Sequence, residues 1–258
     1  YIELTAAYAY TFNNRGNTLH FGLSYIDYGK FSGYDEQGNS TNDFTGKESA
    51  FSIGYSSKIN YLPIYVGLNL RLITSSLEQY NSIGISTDIG LLYINSEMNL
   101  NIAMVIRNFG TQLKAYNDIY EKLPFEIDIG VSQLLENAPL RWYLTFENVQ
   151  KWNIALSNPS RLTTDLDGNI TEEKVTFFNN IFRHLIIGAE LFPESIFNIR
   201  LGYNFKRGEE LKIIDQSNFS GLSFGFGMKF NKLRINYTHA KFSSAANTSF
   251  IGLQLNLN

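Results

Sequence analysis

Residues 221–230, GLSFGFGMKF, alternate without a break: Leu222, Phe224, Phe226, Met228 and Phe230 share one side, and Gly221, Ser223, Gly225, Gly227 and Lys229 the other. A period of two is the signature of a β-strand. The same pattern sets Val66, Leu68, Leu70 and Leu72 against Gly67, Asn69 and Arg71. It sets Ile83, Ile85, Ile89 and Leu91 against Gly84, Ser86, Asp88 and Gly90, and Phe125, Ile127, Ile129 and Val131 against Glu126, Asp128 and Gly130. Thirteen such segments follow one another: 1–12, 17–28, 47–57, 62–76, 80–94, 98–109, 123–134, 140–150, 184–192, 196–206, 219–230, 232–242 and 248–257. Most are expected to run ten residues or more, against about 5–6 for the usual soluble strand and about 9–11 for a tilted membrane-spanning one.

The connections alternate too. NNRG, SKINY, NSEM, ENAP, PESI and NK are short, whereas of the connections between them 29–46, 110–122, 151–183 and 207–218 are long and 77–79 and 243–247 modest. A meander of antiparallel hairpins alternates in this way when its two ends meet different surroundings, as in outer-membrane barrels. A soluble sandwich also alternates, but it would carry many Lys and Glu on its outer faces. Here the side opposite the bulky residues is mostly Gly, Ser and Asn. The expected fold is therefore all-β: a transmembrane outer-membrane β-barrel, an up-and-down antiparallel meander, in a single domain over 1–258. Strands one and thirteen of such a meander run the same way and cannot close antiparallel on each other. One further strand before Tyr1 is expected to bring the count to fourteen.

Aromatic positions agree with two girdles. Phe12, Tyr55, Tyr61, Tyr93, Phe192, Phe197 and Phe230 stand by the short turns, and Tyr28, Tyr80, Phe109, Phe125, Trp152, Phe205 and Phe219 at the other ends. Composition adds that charged residues are only 17% of the chain, where soluble proteins carry about 25%. A net charge of −3 makes no case for nucleic acid, and the lack of cysteine removes thiolate metal sites and disulfides. No apolar run approaches the ~18–20 residues of a membrane helix.

Eleven ionisable residues fall on the less bulky side: Arg71, Asp88, Arg107, Glu126, Asp128, Arg141, Glu147, Glu190, Arg200, Lys229 and Arg234. Their signs are nearly balanced, which fits a network filling a lumen better than a one-sign ring of a selective pore. H-E-x-x-H does not occur, GLSFG (221–225) fits G-x-S-x-G only inside an alternating strand segment rather than at a strand-to-helix turn, and no catalytic, metal or cofactor residue is assigned. The histidines, His20, His184 and His239, are expected at lumen or interface positions. YDEQGNS (34–40) and TDLDGNIT (164–171) read as turns at exposed loop tips.

The longest connection ends in EEKVTFFNNIFRHL, where Phe177, Ile181 and Leu185 recur at helical spacing with Phe178 and Phe182 beside them. A short amphipathic helix is expected there. Its stripe either packs over the barrel mouth or presents Phe177, Phe178, Ile181 and Phe182 to a partner, rimmed by Asp165, Asp167, Glu172 and Glu173.

Four stretches carry a resemblance: YIDYGKFSGYDEQGNS (25–40), LPFEIDIGVSQLLENAPLRWYLTFENVQKW (123–152), RHLIIGAELFPESIFNIRLGYNFKRGEEL (183–211) and SGLSFGFGMKFNKLRINY (220–237). They resemble the PorV/PorQ family, outer-membrane proteins of the type IX secretion system of Bacteroidetes, whose barrel is similar to the fourteen-stranded fatty-acid-channel fold. The likeness runs along the chain and is strongest from about residue 123 to 240. It implies a non-enzymatic scaffold that holds a PorZ-like surface protein at the membrane. Its setting would be the attachment complex with PorU and PorV, which trims cargo and links it to lipopolysaccharide. The alternative, by analogy of fold, is a channel for hydrophobic small molecules.

Overall fold

Each alternating segment forms a strand in the computed structural model, which describes residues 2–12, 16–117, 119–156, 163–164, 170–171, 175–211, 219–241 and 247–257. The first eight strands are β1 (Ile2–Phe12), β2 (Asn17–Phe31), β3 (Phe44–Lys58), β4 (Ile64–Leu77), β5 (Tyr80–Asn95), β6 (Leu100–Lys114), β7 (Glu126–Leu134) and β8 (Leu140–Phe146). A two-residue ribbon, β9 (Thr163–Thr164) with β10 (Ile170–Thr171), and helix α1 (Phe177–His184) precede β11 (Leu185–Leu191). Then come β12 (Phe197–Asn204), helix α2 (Phe205–Glu210), β13 (Leu222–Phe230), β14 (Leu233–Lys241) and β15 (Asn247–Leu255). Thirteen strands form one sheet in the order β1 to β8, then β11 to β15, each beside its neighbour in sequence. The sheet is an antiparallel meander, and it is not closed: β1 and β15 stand at its two ends.

The expectation of ten or more residues in most strands holds only for β1 to β6, which run from 11 to 16 residues. The other seven strands of the sheet have 7 to 9. β8 stops at Phe146 rather than 150; beyond it Asn148 takes φ +56° and its amide goes to Asp128 Oδ1 at 3.1 Å. β12 stops at Asn204 because that residue caps α2. β13 starts only after Gly221, whose φ of +85° suits a residue without Cβ.

The chain divides into two compact units, Tyr1–Tyr93 with Met104–Ile127, and Ile94–Ala103 with Asp128–Asn258. In the first, Leu23, Phe51, Leu72 and Ile85 line up across four strands on the exposed face. On the opposite face His20, Gly54, Asn69 and Asp88 form one row. Gly54 is required there because a Cβ would collide with the His20 imidazole. Arg71 and Asp88 are ion-paired, and Asn69 Nδ2 donates to Asp88 Oδ2 at 3.2 Å.

The second unit repeats the arrangement. Phe197, Leu201, Phe224 and Phe226 are exposed, while Arg141, Glu190, Arg200 and Gly225 register in one row on the other face. Tyr143 Oη donates to Glu190 Oε2 at 2.6 Å, and Arg200 Nη2 donates to Asn236 Oδ1 at 2.9 Å. Gly227 lies between the Asn198 and Asn236 amides and leaves room for them.

Burial is inverted relative to a water-soluble fold. Among the described residues the buried hydrophobic side chains are Ala115 and Ile154, whereas Ser86, Asp128, His184, Glu190, Asn198 and Asn204 are among the buried polar ones. Water favours the opposite sorting.

Candidate functional site

The helix expected at the end of the longest connection is α1. Thr176, in extended conformation, starts it by accepting a hydrogen bond from the Asn179 amide at 3.3 Å on its side-chain oxygen. Arg183 and His184 occupy its last turn, where the helix dipole favours positive charge. Leu185 then adopts extended geometry and the chain passes into β11 with no linker.

The helix lies with its polar side down. Asn180, Arg183 and His184 are buried. Asn180 Oδ1 accepts from the Ala155 amide at 3.1 Å. The His184 imidazole is 1% exposed, with Nδ1 2.5 Å from the Glu147 carbonyl oxygen and Nε2 3.0 Å from that of Trp152. The Glu147 amide in turn donates to the His184 carbonyl at 2.8 Å. These bonds pin residues 147–155 beneath α1. Asn204 ties in the neighbouring hairpin: its Oδ1 caps α2 by accepting from the Arg207 amide at 2.9 Å, and its Nδ2 reaches Glu147 Oε2 at 3.3 Å.

The predicted stripe therefore faces away from the protein. Phe177, Phe178 and Phe182 are 61%, 68% and 49% exposed, and Ile181 is half-buried. Trp152 leans on Phe177 with ring centroids 5.1 Å apart, and Phe177 meets Phe178 edge-on at 5.9 Å. Phe182 packs on Phe205 at 5.5 Å, and Phe205 meets Tyr203 at 5.0 Å. The stripe is thus exposed rather than packed on the described residues beneath α1. The acidic rim, Asp165, Asp167, Glu172 and Glu173, lies outside the described residues.

Sequence reasoning missed α2, Asn204 and Trp152 as parts of this surface. Asn before a short polar run was a legible capping signal for α2. Trp152 had been placed in a girdle but not on the helix.

The other candidates sit apart from α1. His20 is on the inward row described above. His239 is on the exposed face, its ring 5.3 Å from Phe224 and its Nδ1 2.9 Å from Ser249 Oγ. The turn at 34–40 is held by Asp35, whose carboxylate accepts from the Gln37 and Asn39 amides at 3.0 and 2.7 Å and from Asn39 Nδ2 at 2.9 Å. The Asn39 side chain, followed by its backbone amide, holds the Asp35 carboxyl below its ordinary pKa of 3.8. At the ends of the TDLDGNIT stretch Thr163–Thr164 pair antiparallel with Ile170–Thr171, and 165–169, with the expected turn, lie outside the described residues.

No protein-family model matches this chain, and no curated protein matches it.

Proposed function

We propose that the chain is a non-enzymatic outer-membrane β-barrel, a membrane-embedded scaffold that holds a surface protein at the exterior. The observation that carries the membrane reading is the inverted burial: large apolar side chains exposed along both units, polar ones buried. Lipid stabilises such a face, whereas water would drive it to aggregate or collapse. Two further observations support a closed ring. β1 is exposed along its whole length, and so is nearly all of β15, as edge strands lacking a partner would be. An antiparallel ring also needs an even number of strands, so thirteen plus one, fourteen, is the count proposed.

Within this reading the long connections face the cell exterior, and the partner class is the one the family resemblance implies: a PorZ-like surface protein, with PorU and PorV in the same complex beside lipopolysaccharide. The inward rows support a scaffold over a channel for hydrophobic molecules, because Arg141, Glu190, Arg200, Asn198 and Asn236 offer no apolar path. The test is fractionation of native cells followed by gentle extraction of the full chain. Recovery in the outer membrane together with a surface-exposed protein supports the proposal. Recovery in a soluble fraction overturns the membrane reading, and uptake of hydrophobic solutes without any co-extracted protein overturns the scaffold reading in favour of the channel.

A further inference from the structure

We infer that the aromatic face of α1, with Trp152, is seated in lipid at the exterior boundary of the bilayer and is not a protein-docking surface. The inference rests on the barrel reading above and deepens it. Its ground is continuity. On β12 the exposed face carries Phe197, Ile199, Leu201 and Tyr203, because their parity is opposite to that of buried Asn198 and Asn204. Tyr203 is the last outward residue of that strand, and its ring meets Phe205 at 5.0 Å. Phe205 meets Phe182 at 5.5 Å. An unbroken series of apolar side chains thus climbs from the strand face onto the helix.

The second ground is the hand of the helix. A helix covering a water-filled mouth turns its apolar side down and its polar side up. α1 does the reverse, with Asn180 and His184 bonded to the chain beneath it and Phe177 and Phe178 facing out. That is the sorting of the strands themselves, carried across the junction at Leu185. The third ground is chemistry. Trp and Phe beside one another at the end of an apolar belt suit the boundary layer, where a ring is half in acyl chains and half among headgroups. Trp152 is 45% exposed and its ring is tilted against Phe177, as such a residue would be.

The chain has two tryptophans, Trp142 and Trp152, which makes the question one of fluorescence. Trp142 registers opposite Ala189 in the outward set of β8. The full chain would be reconstituted in vesicles of phosphatidylcholine brominated either near the headgroup or near the chain end. The W142F variant reports Trp152 alone, and the W152F variant reports Trp142 alone. Quenching of Trp152 that is several-fold stronger with the shallow bromine than with the deep one supports the inference. Trp152 unquenched by either lipid while Trp142 is quenched overturns it: the barrel is in lipid, but α1 stands in water, free for a protein partner. Neither residue quenched overturns the membrane reading itself.

Discussion

Asp128 Oδ1 accepts the backbone amide of Asn148 at 3.1 Å, across the hairpin between β7 and β8. Asp88 Oδ1 accepts the amide of Asn108 at 3.0 Å in the same way. In each case the aspartate opens an Asp-Ile-Gly triplet and the asparagine follows twenty residues later, with φ +56° at Asn148 and +55° at Asn108. A left-handed residue breaks the ladder, and its freed amide needs an acceptor. Asn tolerates that conformation better than most residues. The same contact thus recurs twice: Asn148 lies just past the end of β8, whereas β6 continues through Asn108 to Lys114, and in both a carboxylate on the neighbouring strand accepts the amide.

Asp128 is 6% exposed, so removing its carboxylate strands the Asn148 amide. Asp128→Ala should lower stability by about 1–3 kcal/mol. Asp128→Asn keeps an acceptor oxygen and should retain most of it. Urea titration of the refolded chain in micelles measures both, and equal losses for the two variants would contradict the role assigned to the acceptor.

Phe224 is exposed and its neighbour Ser223 points to the opposite face. Phe224→Arg should cost roughly 2–4 kcal/mol if the site lies near the bilayer midplane. Ser223→Arg should cost less, because its guanidinium enters the polar side. Assembly into vesicles, followed by gel mobility of unheated samples, compares them; equal tolerance would reverse the orientation.

Gly227 makes space for two amides. A Cβ there would lie 2.7 Å from Asn198 Oδ1 and 3.0 Å from Asn236 Oδ1, and Asn236 is the acceptor for Arg200. Gly227→Ala is expected to cost about 1–3 kcal/mol through overpacking. Adding Asn198→Ser should recover part of the loss, and a double variant no better than the single one would remove the steric explanation.

The Asp35 turn carries a pH signature. Its carboxyl is held below 3.8, so the charged form is the one the fold stabilises. The contribution is complete above the ordinary carboxylate value and is lost as the pH falls through the lowered one. Asn39→Ala removes the largest cause and should move the Asp35 titration back toward 3.8. Carboxyl chemical shifts followed against pH measure this, and an unchanged midpoint would assign the shift to another source.

The strand positions were legible because a strand between two unlike surroundings must alternate, and alternation survives in a single sequence. The positions of all thirteen strands follow from it, as does the contrast between Phe224 and Gly225. So does a helix near Phe177, since Phe177 and Ile181 already share a face at helical spacing. The direction of that face was not legible. It depends on Asn180 and His184 finding the backbone of Ala155, Glu147 and Trp152, groups that the chain brings together only after the β8–β11 pairing is made. The early ends of β8 and β12 have the same origin. Asn148 can leave the ladder because Asp128 waits on the neighbouring strand, and Asn204 stops β12 by capping α2 while its amide reaches Glu147. Periodicity records which surroundings a side chain meets, whereas these stops are set by single partners distant in sequence, whose acceptors exist at those points only once the sheet has formed.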